Sequence, residues 1–355
     1  MLYICGIAYL LNFLAMPYNI IRMGAITLFN NQKSHFEIKL NQGYYEFAQD
    51  TPDYTLITNP GNGQITTAGV FYSYGNNFEN LGNRAIYTNN GEITPTLIVE
   101  ECQFNNINSA DKGGAIFFEC KGTFSYNRVC SIQCSSSESC NHIYAQGAKI
   151  KQSESTFLNN RAIGRIATYL RGVIGLTACN YTNIKATEHP SFVLQNVNSE
   201  VSIINSVTLY NLESDKCILQ CQDKTRFSMS SCNFFNNKYG NNGFQVTNTE
   251  IALTRCSIFG NKDKNYAIKR EFFSIDSSST ISIKQSFYDG TISTRDATQQ
   301  PENEKFLNLF QPLSLGKCKA KKLNEMFDIN CAKYDEVSGR EQMIKLIFSF
   351  MAQNR

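Results

Sequence analysis

Residues 227–261, FSMSSCNFFNNKYGNNGFQVTNTEIALTRCSIFGN, state the same phrase twice: CNFFN begins at 232 and CSIFG at 256, 24 residues later. A short alternating run leads into each phrase (TRFSMSSC, then IALTRC), and a third apolar run, GFQVT, lies between them. Alternation with period two is the mark of a strand with one buried face, and the Asn and Gly between runs are turn formers. Working outward, the phrase returns as CQFNN at 102, CSIQC at 130, STFLN at 155, CNYTN at 179, VTLYN at 207 and QSFYD at 285. Successive starts are 24 to 29 residues apart, with a mean of about 26. The second run keeps its phase as well, in AIFFE (115–119), HIYAQ (142–146), RIATYL (165–170), SFVLQ (191–195), CILQC (217–221) and EFFSI (271–275).

Two or three strands per repeat cannot bury their own inward side chains. Stacking each repeat on the last pairs every strand with its equivalents above and below, about 4.8 Å away. Helical repeats are excluded because no stripe of period 3.6 is present. Leucine-rich repeats lack their Leu/Asn signature here, and a propeller blade needs a longer unit. The expected fold is therefore all-β: a right-handed parallel β-helix, a solenoid of about nine coils of about 26 residues over residues 61–290. Residues 17–60, with strand-like AITLF and FEIKL, are read as an N-terminal cap or first irregular coils. Residues 291–355 are read as a C-terminal cap or extension, short and partly helical at its end (EQMIKLIFSF), in which Cys318 and Cys331 could close a local disulfide.

Stacking turns repeat positions into columns. Phe104, Ile132, Phe157, Tyr181, Leu209, Phe234, Ile258 and Phe287 are expected to form an apolar ladder inside the solenoid. Asn106, Asn159, Asn183, Asn211, Asn236 and Asn261 are expected to form a turn ladder, since Asn tolerates left-handed backbone and can hydrogen-bond along the stack. Cys102, Cys130, Cys179, Cys232 and Cys256 share one position with Ser155, Val207 and Gln285, which reads as a small buried site holding thiols. Cys217/Cys221 and Cys130/Cys134/Cys140 lack CxxC spacing, and the chain has only three His, so no metal site is expected.

Of 355 residues, 42% are hydrophobic and 18% charged, with net charge +3. That near-balance supplies no basic footprint for nucleic acid. The run LYICGIAYLLNFLAM at residues 2–16 has the length of a signal-peptide core and is too short for a membrane span; no stable span is seen elsewhere. Setting Cys5 aside leaves 12 of the 13 cysteines in the body, an even number that fits an oxidising compartment.

Gly113-Gly114-Ala115-Ile116, with FLNN at 157–160 and FFNN at 234–237, resembles the GGA[ILV] and FxxN motifs of the polymorphic outer-membrane protein repeats. Similar repeats occur in surface proteins of parasitic protists. Over residues 100–262 the resemblance implies a pectin-lyase-like β-helix at the cell surface, with adhesion as its role.

The same scaffold carries polysaccharide lyases and glycoside hydrolases, which need convergent carboxylates or a calcium site. Glu119, Asp215, Asp223, Asp263 and Asp276 are scattered in phase, and no catalytic motif is present. The expected role is non-catalytic, extracellular or cell-surface binding of glycans or a host surface, with no cofactor. A carbohydrate-active enzyme and a structural surface-coat protein are the alternatives. Arg161, Arg165, Tyr169 and Arg171 form a locally basic coil suited to an anionic glycan, because Arg binds anions bidentately and Tyr offers a ring. Asn180-Tyr-Thr182 is an N-glycosylation sequon.

Overall fold

The computed structural model describes residues 54–57 and 63–289, apart from positions 89, 163–165, 188–189, 197, 199, 224–225 and 265–270, together with 27–30, 36–39, 297–301 and Asn308. The described chain is all-β and coils into a parallel β-solenoid of about eight turns of about 26 residues. One turn, for example, runs through strands Cys217–Gln222, Arg226–Ser230, Asn233–Phe235 and Lys238–Tyr239, here called first to fourth. Each pairs in parallel with its equivalents one turn earlier and later. Inward residues of the third strand form nine levels, from Phe78 and Phe104 to Ile258 and Tyr288, which enclose eight full turns where about nine coils were expected.

Parallel pairing is also present outside residues 61–290: Tyr54–Leu56 pairs with Val70–Tyr72, within the segment read as a cap or first irregular coils, and Ala297–Pro301 pairs with the strand Thr280–Tyr288. Thr27–Asn30 and Phe36–Lys39 form an antiparallel pair, where AITLF and FEIKL were read as strands. The expected signal core, the helical end and the Cys318/Cys331 pairing lie outside the described residues.

Two corners explain the recurring phrase. Immediately before the third strand, Glu101, Arg128, Glu154, Ala178, Ser206, Ser231, Arg255 and Gln285 all have φ between 48° and 58°. These residues have no preference for left-handed backbone, which ordinarily costs about 1–2 kcal/mol. Each turn holds the next in it: Glu101 N–H donates to Asn127 O, Arg128 to Ser153 O, Glu154 to Thr177 O, and so on up the stack. The residue after this corner faces inward and is small. Where it is Cys or Ser, the thiol or hydroxyl donates back to the carbonyl two residues earlier, as Cys102 does to Glu100 O (3.3 Å), Cys232 to Ser230 O (3.3 Å) and Ser155 to Ser153 O (2.7 Å). That shared donor role is why Cys and Ser interchange.

The register corrects two levels. Ser131, not Ile132, faces Phe104 and Phe157, and Val129 takes the small inward site in place of Cys130. Ser286 replaces Gln285 at that site, so Tyr288 and not Phe287 continues the inner ladder. In both cases the column follows the left-handed residue rather than the nearest cysteine or polar letter. At the small Ser131 level the space is filled by Tyr126 from the second strand and by His142. The His142 ring packs edge-on against Phe104, Tyr126 and Phe157 at 5.1–5.6 Å.

The second corner, after the third strand, uses Asn80, Asn106, Gln133, Asn159, Asn183, Asn211 and Asn236 in left-handed backbone, with Gly260 where Asn261 was expected. Outward amides bond along the stack, Asn183 Nδ2 to Asn159 Oδ1 (3.0 Å) and Asn211 Nδ2 to Asn183 Oδ1 (2.6 Å). Asn261 belongs instead to an inward set with Asn160 and Asn237. Asn237 Oδ1 accepts Leu212 N–H from the turn before (2.8 Å), while its Nδ2 donates to Leu209 O (3.0 Å). Gly114 is required by close approach: a Cβ there would lie 1.9 Å from Asn141 O.

Replacing Asn237 by Leu orphans a buried amide and a buried carbonyl, with an expected loss of about 3 kcal/mol in urea unfolding. Asn211→Gly, at an exposed left-handed site, should change stability by under about 1 kcal/mol. A second expectation concerns pH. His142 is fully buried and its pKa is lowered from 6.5 to about 3, so it is neutral with Tyr126 Oη 2.5 Å from its Nε2. Because the unfolded chain takes up this proton first, stability falls as pH drops from about 6.5 towards 3, by up to about 5 kcal/mol. Pairing His142→Phe with Tyr126→Phe should flatten that dependence in unfolding measured across the same window.

Candidate functional site

The first strand carries one outward residue between two inward ones. Inward are Ile116, Ile143, Thr168 and Phe192 on one side and Phe118, Ala145, Leu170 and Leu194 on the other. Outward between them run Tyr87, Phe117, Tyr144, Tyr169 and Val193. The parallel register sets three of these rings on one another: Phe117 and Tyr144 stack at 5.1 Å, and Tyr144 and Tyr169 at 4.8 Å, with interplanar angles of 20° and 16°. Arg84 lies over the Phe117 ring at 4.6 Å and Lys112 over Tyr144 at 5.7 Å. Arg84 is held there by Asp111 (2.9 Å).

Two residues further along the strands a polar column follows: Glu119, Gln146, Arg171, Gln195 and Gln222. Arg171 donates to Gln146 Oε1 (3.3 Å), Tyr169 Oη donates to Gln195 Oε1, and Gln195 Nε2 donates to Asp223 Oδ2 (2.5 Å). The Tyr144 phenol is pushed well above its ordinary pKa by burial and by the Glu119 carboxylate. Burial raises that of Tyr169 too, against the opposing pull of Arg171. Both therefore stay neutral donors throughout the physiological range.

Of the residues read from the sequence, Tyr169 and Arg171 come together here on one outward face. Arg161 sits on a different strand, the fourth, paired with Ser135 and Lys185, and Arg165 lies outside the described residues. Tyr169 was expected to offer an open ring face. The register closes one side of it with Tyr144, so the ladder presents ring edges, hydroxyls and amides. Phe117, Tyr144, Arg84 and Lys112 were not singled out, although an aromatic residue at the same place in the second run, in AIFFE, HIYAQ and ATYL, was the available signal. Asn180 points outward from the third strand but is only 4% exposed, with Thr182 donating to its Oδ1 (2.8 Å), so this side chain has no room for a glycan in the folded chain.

Among the described residues, the carboxylate pairs Glu100/Glu101 and Glu213/Asp215 are tied to cations. Arg128 bridges Glu100 (3.4 Å) and Glu101 (2.7 Å), whose other partners include Tyr72 and Tyr74, and Lys264 bridges Glu213 (3.0 Å) and Asp215 (2.6 Å). Hydrogen bonds and charge from Lys264 and Lys185 hold the Glu213 carboxyl below its usual range. Such clamps are ion pairs, not the open acid/base pair that glycoside cleavage requires. Among the described residues no group of His, Cys, Asp and Glu could hold a metal ion, and no helix is long and apolar enough to cross a membrane. The apolar void of about 10 Å³ beside Phe192, Leu209 and Phe234 is internal and far too small for an organic ligand. Comparison with protein-family models, curated proteins and solved structures gives no match.

Alkaline titration tests the ladder's geometry. An unperturbed Tyr ionises near pH 10, so Tyr144→Phe should leave the phenolate absorbance gained between about pH 9 and 11 unchanged. Loss of one tyrosine's amplitude in that range would mean an open, unstacked ring.

Proposed function

We propose that the chain is an extracellular or cell-surface binding protein that holds an extended anionic glycan along the outward face of its first strands. The observation that supports this reading is the axial row of Tyr144 and Tyr169 beside Gln146, Arg171 and Gln195. Equivalent groups there recur at the strand spacing, about 4.8 Å. A linear polymer with regularly spaced hydroxyl and sulfate or carboxylate groups meets such a row with many small, repeated contacts. The likeness of GGAI, FLNN and FFNN to surface-protein repeats favours the same role, and so does the apolar run at residues 2–16. Adhesion is the biological form this binding takes.

The test is direct binding of the full chain to sulfated, carboxylated and neutral polysaccharides. Sulfated or carboxylated chains should bind and neutral ones should not. Arg171→Gln should weaken binding about tenfold, equivalent to about 1.4 kcal/mol, with unchanged thermal stability. No binding to any anionic polymer, or full affinity in a Tyr169→Ala/Arg171→Gln double variant, would reject the proposal. An internal epitope reached by antibody only after permeabilisation, with none in the medium, would reject the extracellular setting.

A further inference from the structure

The outward columns of the solenoid are not alike. Val201, just before the second strand Ser202–Asn205, is 44% exposed and Ile203 on it 59%, as expected for side chains that point away from the core. The outward column at the start of the third strand behaves in the opposite way. Cys130, Thr156, Asn180, Thr208, Asn233 and Ser257 stand in register on six consecutive levels, and all are buried, between 0% and 7% exposed. One level before Cys130, Gln103 is half-buried, and the level before that, Asn77, is exposed. Beyond Ser257, Phe287 is again half-buried. Something therefore covers this face, and the cover begins at Cys130.

Both ends of the covered stretch carry an anchor. Near the upper end, Asn308 joins Asn233 by bonds in both directions. Asn308 N–H donates to Asn233 Oδ1 (3.0 Å) and Asn233 Nδ2 donates to Asn308 O (3.0 Å), while Asn308 Nδ2 reaches Arg255 O (2.9 Å). At the lower end Cys130 is disulfide-bonded, whereas nine other described cysteines are free thiols. Its partner is thus one of Cys5, Cys318 and Cys331, which lie outside the described residues.

The geometry points to the chain's own segment from Asn308 to Cys318 as the occupant of this face, tied down by a Cys130–Cys318 disulfide. Asn233 and Cys130 are four levels apart, about 19 Å at the strand spacing. The ten residues from Asn308 to Cys318 span up to about 33 Å when extended, so the reach is ample. Cys318 is the first cysteine after the anchor and is flanked by Lys317 and Lys319, while Glu100, Glu101 and Glu154 border the third strand at the Cys130 end, with Arg128 among them. Forming the bond joins two sulfurs and releases two protons and two electrons. A small disulfide RSSR accepts them by thiol exchange and leaves as two RSH. The strap also accounts for Asn180, which lies midway along its path: the sequon stays unmodified because the strap occupies the space a glycan needs.

The test is peptide mapping by mass spectrometry on the full chain, refolded with a glutathione redox pair, its free thiols alkylated before non-reducing digestion. The expected result is a Cys130 peptide joined to the Cys318 peptide. Alkylated Cys130, or Cys130 joined to Cys5 or Cys331, overturns the assignment. A second measurement follows coverage of the face itself, through a Thr208→Cys reporter labelled with maleimide. Adding Cys318→Ser should speed labelling by about tenfold or more, as expected when local opening is freed from a cross-link. Equal rates with and without Cys318→Ser overturn the strap.

Discussion

Everything in this molecule depends on vertical hydrogen bonding that does not stop at the corners. A flat parallel sheet satisfies its backbone only along the strands, and its connections must find other partners. Here the turn residues themselves lie in the ladder, so each amide meets a carbonyl one turn away even where the chain reverses direction. This is why Glu101, Arg128, Ala178 and Arg255 accept a backbone conformation for which their side chains give no reason. The inward asparagines serve the same constraint from within. Asn160, Asn237 and Asn261 lend an amide group wherever the backbone turns too sharply to reach its neighbour, which makes them substitutes for main chain rather than ordinary polar core residues.

Much of this was legible because a repeated constraint leaves a repeated residue. The period, the strand phases and the Asn of the second corner could be read directly, since left-handed backbone has a compositional preference there. The first corner had no such signature. Its residues are Glu, Arg, Ala, Ser and Gln, held in place by stacking and not by propensity, and without that landmark the columns at Ser131 and Tyr288 slipped by one residue. The inward aromatic ladder could be inferred from pattern. The outward one could not, because Phe117, Tyr144 and Tyr169 sit among aliphatic residues in strands apolar enough to pass for entirely buried. Tyr169 and Arg171 were found through local charge instead, a signal indifferent to which face a side chain occupies.

The four outward columns show how one scaffold can be differentiated by side chains alone. The core dictates the inward positions and the corners dictate the turns, which leaves the outward residues free to diverge. The first face bears a polar and aromatic row, the second exposes Val201 and Ile203, and the third is closed over. Where the strands stay in register, such differences leave the backbone pairing unchanged. Their consequence is directional: any ligand that binds one column must run along the axis, and its affinity grows with the number of levels it touches.

The buried thiols have a consequence for the life of the molecule. Free Cys102, Cys134, Cys179, Cys232 and Cys256 are each bound to a carbonyl in the dry interior, and burial pushes the Cys134 thiol up to about 11, so almost no thiolate forms near neutral pH. In the folded chain these buried thiols are inert towards oxidants that react with exposed cysteines at once. Unfolded in the same medium, all nine would become reactive together, and the first wrong bond would lock the chain out of register, because parallel stacking tolerates no shift between levels. Unfolding in an oxidising medium is thus a one-way passage, and the working lifetime of the protein is set by how seldom it opens rather than by its equilibrium stability.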